Sequence, residues 1–181
     1  MAGYASAPWS ELYVAMAGAA AALLGLLFVA VSINLEQVLR TAWLPLPAGE
    51  TLGLLVVLLT TAVFVLVPGQ TRTALGLELA VTGLLLLGLD GWLRIRRGRP
   101  ADAPARTVVV PAVIVALTGA PLVLAGATLV AGAGGGLYWT VPALLVGFAG
   151  AVVNAWVLLV EILRWHPPGT PGGQDATRGD R

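Results

Sequence analysis

Few side chains in this sequence can do chemistry, and those few lie inside or beside long apolar runs. Glu78 sits among leucines in "TALGLELAVTG", and Asn154 and Glu161 are seven apart in "GFAGAVVNAWVLLVEILR". An ionised carboxylate in such surroundings is costly, so it is protonated, paired or reached by water. One reading makes Glu78 a cation ligand or proton relay in a water-filled crevice. The other gives it a hydrogen bond to a neighbouring helix or tilts it up to the interface. It lies five residues past Thr73, about 8 Å along a helix. Thr71 and Thr82 share its face, while Arg72 lies on a different one. Asn154 and Glu161 divide in the same way. They either continue a hydrophilic path, or Asn154 clamps another helix and Glu161 sits at the interface near Arg164. The second reading is preferred for this pair, because Glu161 lies within two turns of the end of its run.

The remaining chemistry is excluded by what the sequence lacks. There is no cysteine and a single histidine, His166, beyond the last apolar run. Thiolate nucleophiles, thiolate metal sites and disulfides are thereby ruled out. A serine hydrolase would lack its base, and no phosphate loop, H-E-x-x-H or G-x-S-x-G motif is present. "GAGGG" has no strand–helix context and reads as a flexible loop, and "RGD" at 178–180 reads as chance in a polar tail. The expectation is a protein that is not an enzyme and has no cofactor.

The elements that carry these residues follow from composition. The chain is 58% hydrophobic and 10% charged, with mean hydropathy +0.90. Soluble domains carry about 25% charge, so the surplus Ala, Leu, Val and Gly must face lipid. A net charge of +1 offers no field for nucleic acid. Hydrocarbon about 30 Å thick needs about 20 apolar residues per crossing. Five runs qualify, at about 12–33, 48–67, 73–93, 107–131 and 137–163. The first lacks a basic region ahead of it and is long for a signal peptide, so it reads as a span. The second stops at Pro68-Gly69. The fold class is an all-α, five-span integral membrane bundle over residues 1–165, with a disordered cytoplasmic tail over 166–181.

Arginines set the expected direction. Arg94, Arg96, Arg97, Arg99 and Arg106 cluster around the loop between spans three and four. A cytoplasmic position for that loop also places Arg40, Arg164, Arg178 and Arg181 there, leaving only Arg72 outside. By the positive-inside rule the chain is N-out and C-in. Trp9, Trp43, Trp92, Trp139 and Trp165 fall at the ends of runs, where indole is favoured, and Trp156 is the exception.

Faces of the runs suggest contacts. Gly18, Ala21, Ala22 and Gly25 leave one side of span one nearly without side chains, allowing close approach of another helix. The commoner arrangement places that neighbour in the same chain; a second copy is the other. Gly147, Gly150, Ala151 and Asn154 form a comparable stripe on span five. Ser32, Asn34, Glu36 and Gln37 either join Arg40 or Arg94 in a polar cluster or simply mark the helix leaving the membrane. Asp90 and Arg94 have the spacing of an i,i+4 ion pair. Pro121 should kink span four near Leu117, with Thr118 or a neighbouring helix to satisfy the freed carbonyl.

The runs "GAAAALLGLLFVAVSINLEQVL" and "ETLGLLVVLLTTAVFVLVPGQTRTALGLELAVTG" resemble a group of small bacterial membrane proteins, some of them labelled modulators of the FtsH membrane protease. That resemblance covers roughly the first half of the chain. It implies a non-catalytic partner of a membrane-embedded protease in the bacterial inner (plasma) membrane, and it carries no site residue. The expectation is a protein that acts through lateral helix contacts, with the lipid bilayer, another membrane protein or a second copy as its partners. The alternative is a homo-oligomeric ion or proton channel, or a small transporter, lined by Glu78, Asn154 and Glu161.

Overall fold

The structure, a computed structural model, describes residues 2–33, 45–97 and 105–164. Asn34, Glu36, Gln37, Arg40, Trp43, Arg99, Trp165 and the tail 166–181 lie outside the described residues, as do the side chains of Arg97, Arg106, Glu161 and Arg164. The described chain is helical, with no strand among the described residues. Its long helices are α1 (Ser10–Ile33), α2 (Pro45–Leu66), α3 (Arg72–Arg97), α4 (Ala105–Ala131) and α5 (Thr140–Arg164). All five contain a stretch long and apolar enough to cross a membrane. Short 3-10 turns precede α1 (Ala2–Tyr4 and Ala7–Trp9) and α5 (Gly136–Trp139).

Local sequence explains where the helices start and stop. α2 opens on Pro45 and Pro47, where a missing N–H costs nothing. It ends at Leu66, and the chain then turns at Pro68-Gly69, with Gly69 at φ 71°. Thr71 caps α3, its Oγ1 accepting from the Ala74 N–H at 3.2 Å. α4 closes in a Schellman arrangement: Ala133 N–H donates to the Thr128 carbonyl (3.2 Å) and Gly132 N–H to that of Leu129 (3.3 Å). Gly132 takes the left-handed φ of 69° that this cap requires.

α4 runs as one helix through both Pro111 and Pro121. The Thr118 hydroxyl does not serve the carbonyl freed by Pro121, as its position in the sequence suggests; it donates instead to the Ile114 carbonyl at 2.8 Å. The ordinary i−4 back-bond wins because the threonine reaches it within its own helix turn.

α2 lies at the centre, packed against α1, α3 and α5, while α4 packs between α3 and α5. Neighbours in sequence run antiparallel. One apolar cluster joins all five helices, through Tyr13, Ala20 and Leu27 of α1, Leu55 and Leu58 of α2, Leu75 and Leu79 of α3, Ala125 and Leu129 of α4, and Leu144 and Ala151 of α5. Outside it lie many exposed apolar side chains, among them Phe28, Leu85, Leu145 and Trp156. A water-soluble protein does not display so much contiguous apolar surface, and lipid is the solvent that suits it. Trp156, out of place as an interfacial indole, is simply lipid-facing.

α1 stands at the periphery. Only 11% of its spanning window is buried, against 28–44% for the other four. Its buried residues, Tyr13, Ala20 and Leu27, recur every seven and form a single line on its inward side.

Candidate functional site

The tightest seam joins α3 to α4, and four glycines make it. Gly76 and Gly83 on α3 face Gly126 and Gly119 on α4. A Cβ on Gly76 would come 2.8 Å from the Gly126 carbonyl oxygen, and one on Gly83 would come 2.8 Å from that of Gly119. The reverse substitution at Gly126 would collide with the backbone of Gly76 and Ala80. Backbones therefore touch directly, which suits a membrane interior where dispersion between close surfaces drives association.

α5 packs differently. A Cβ on Gly147 would meet Leu58 Cδ2 at 2.8 Å, and one on Gly150 would strike the Ile114 side chain. Both glycines accept a bulky side chain from a neighbour, α2 for the first and α4 for the second. Ala151 is buried below them and Asn154 is half-buried.

Among the described residues, Gly18, Ala22 and Gly25 have no such neighbour. All three are exposed, and nothing lies within 4 Å of a Cβ added at either glycine. None of the described helices makes the intramolecular contact expected for this stripe. At about 100° per residue, two positions from Ala20 lie on the far side of the helix. Tyr13, Ala20 and Leu27 take the inward face instead, where the tyrosine and the leucine bury apolar surface that Gly18 and Gly25 do not have.

Glu78 is half-buried, and its carboxylate accepts a hydrogen bond from Gln70 Nε2 in the α2–α3 turn. The Thr82 hydroxyl donates to the Glu78 backbone carbonyl at 2.7 Å. The carboxylate is thus held by its own hairpin. Depth can be compared across the bundle, since Gly83 and Gly147 both lie at the level of Thr118 and Gly119. Glu78 is five residues above that level and Asn154 seven below it, about 18 Å apart along the axis. Leu58, Leu122, Leu144 and Ala151, all buried, occupy the space between.

At the end of the bundle where α1 and α5 begin, the chain builds a cap. Tyr13 Oη and Thr140 Oγ1 share a buried hydrogen bond, and Thr140 Oγ1 also bonds to the Leu137 carbonyl at 2.6 Å. Tyr4 Oη accepts from the Gly135 N–H at 2.9 Å. Trp9 stands edge-on to Tyr138 with centroids 4.9 Å apart, and Trp139 Nε1 donates to the Gly134 carbonyl at 2.8 Å. The "AGAGGG" connection, read from sequence as flexible, is a built turn. Gly132, Gly134, Gly135 and Gly136 all adopt positive φ, and Gly136 lies against Gly3. The guanidinium of Arg72 lies beside Gly132, just past the carbonyl end of α4, where a cation is favoured.

The opposite end carries the arginines. Arg94 Nε donates to Asp90 Oδ2 at 2.7 Å, the i,i+4 pair expected from spacing. Its Nη2 also reaches Glu50 Oε1 on α2 at 3.3 Å. Glu50 is the partner that sequence reasoning missed, since 44 residues separate it from Arg94. Ser32, at the far end of α1, is exposed. Arg96 lies over the Trp92 ring, its Cζ 4.7 Å from the centroid. Among the described residues no group of three or more His, Cys, Asp or Glu could hold a metal ion.

No family model, no curated protein and no solved structure matches the chain. The resemblance of its first half to modulators of a membrane protease rests on the quoted runs alone.

Proposed function

We propose that this chain is a non-enzymatic membrane protein that works by lateral helix contact, N-out and C-in in the bacterial inner membrane. Its partner is a helix of a larger membrane complex, with a membrane-embedded protease the candidate that the resemblance suggests. One observation carries this reading: the small-residue face of α1, through Gly18, Ala22 and Gly25, is turned away from the other described helices. The glycines of α3, α4 and α5 that face a neighbour accept backbone or side chain from it, which supports the same use for a face of α1 from outside. The permeation reading gains less support. Glu78 is engaged by Gln70, and apolar side chains separate it in depth from Asn154.

The test is a photo-crosslinking residue at Ala22, in native membranes, beside one at the equally lipid-facing Leu85. A discrete adduct at Ala22 that is missing at Leu85 and lost with Gly18→Leu is the expected result. An adduct whose mass is twice that of the chain would make the partner a second copy. Equal labelling at both positions, or cation flux in liposomes that Glu78→Gln abolishes, would overturn the proposal.

A further inference from the structure

The exposed surface of α3 carries a sequence of chemistries along one line. Leu85, Leu89, Trp92 and Arg96 are spaced four, three and four, so they form one stripe. All four are exposed, with Leu85 at 67%, Leu89 at 60% and Trp92 at 49%. The order from the bundle centre outward is aliphatic, aliphatic, indole, guanidinium. Eleven residues of helix separate the first from the last, about 16 Å at 1.5 Å each. That is about one leaflet of a hydrocarbon core about 30 Å thick. We infer that this stripe seats one anionic phospholipid, with its acyl chain along Leu85 and Leu89, its glycerol region at Trp92 and its phosphate on Arg96.

The neighbouring arginine shows why Arg96 has this role. Arg94 is turned toward α2, and the two described carboxylates of this end, Glu50 and Asp90, both bond to it. Arg96, two residues on, faces outward over Trp92. Cation–π attraction to an indole does not use up the N–H donors of a guanidinium. Those donors match two phosphate oxygens. Holding the cation on the ring also removes side-chain freedom before the lipid arrives, so less entropy is lost on binding. Selectivity for a net negative headgroup follows from the charge of Arg96.

The experiment is native mass spectrometry of the full chain in detergent, titrated with phosphatidylglycerol or phosphatidylcholine of identical chains. The wild type should retain phosphatidylglycerol over phosphatidylcholine by about fivefold per arginine engaged. Arg96→Gln should remove about that factor, Arg96→Lys less of it, and Arg72→Gln, at the other end of the same helix, none of it. Circular dichroism should show the same helicity in the wild type and every variant. Equal retention of the two lipids would overturn the inference, as would full retention by Arg96→Gln or a larger loss from Arg99→Gln than from Arg96→Gln. Inorganic phosphate that binds the wild type and displaces phosphatidylglycerol would reassign the cation to a free phosphate ligand and remove the lipid.

Discussion

Gly126 and Gly25 are both mid-helix glycines in apolar runs, and their surroundings are opposite. At Gly126 the backbone of α3 fills the place where a side chain would be; at Gly25 there is nothing within 4 Å. A glycine in a lipid-facing helix can thus mark a contact already made inside the chain or a face left open. Composition does not separate the two. What separates them is the opposite side of the same helix. α1 turns Tyr13, Ala20 and Leu27 inward, so its small residues are left outside. On α3 the inward line is Leu75, Leu79 and Thr82, with Gly76 and Gly83 beside it, so there the glycines meet a neighbour.

Alanine substitutions read out this contrast as reversible unfolding in mixed micelles. Gly126→Ala should be the most costly, about 3 kcal/mol, because its Cβ meets backbone that cannot rotate away. A loss below about 1 kcal/mol would mean that α3 and α4 are not in backbone contact. Gly147→Ala should cost about 1 kcal/mol, since the side chain it meets, Leu58, can change rotamer. Tyr13→Phe probes the attachment of α1 itself. Loss of the hydroxyl shared with Thr140 should cost about 1 kcal/mol and raise hydrogen exchange in the first turns of α1 before elsewhere. Gly25→Ala should change stability by less than about 0.5 kcal/mol in the isolated protein. A large loss there would show that the face is covered in the purified chain, by a second copy.

The five helices were legible in the sequence because crossing a bilayer demands about 20 apolar residues, and that length is visible without any partner. Asp90–Arg94 was legible for a related reason, since both partners lie one helical turn apart. Glu50 was not, because pairing across helices depends on a register that no local spacing reveals. Similarly, "AGAAAALLG" announces a small face through its density, whereas Gly76 and Gly83 are each isolated, two turns apart. Their partners Gly119 and Gly126 carry the same spacing on α4. Matching sevenfold intervals on consecutive antiparallel spans were the signal available. The glycines of "AGAGGG" were visible, but flexibility and a demand for positive φ look the same in sequence. Tyr4 and Gly3, which pack onto that turn, lie more than 120 residues away from it.

That long separation governs the order of assembly. The cap ties Tyr4 to Gly135 and Tyr13 to Thr140, which are 131 and 127 residues apart. A chain made from its N-terminus places α1 in the bilayer well before Thr140 exists. Until Thr140 has been made, the Tyr13 hydroxyl lacks the partner it has in the folded protein. The cap therefore closes only after nearly the whole described chain has been made.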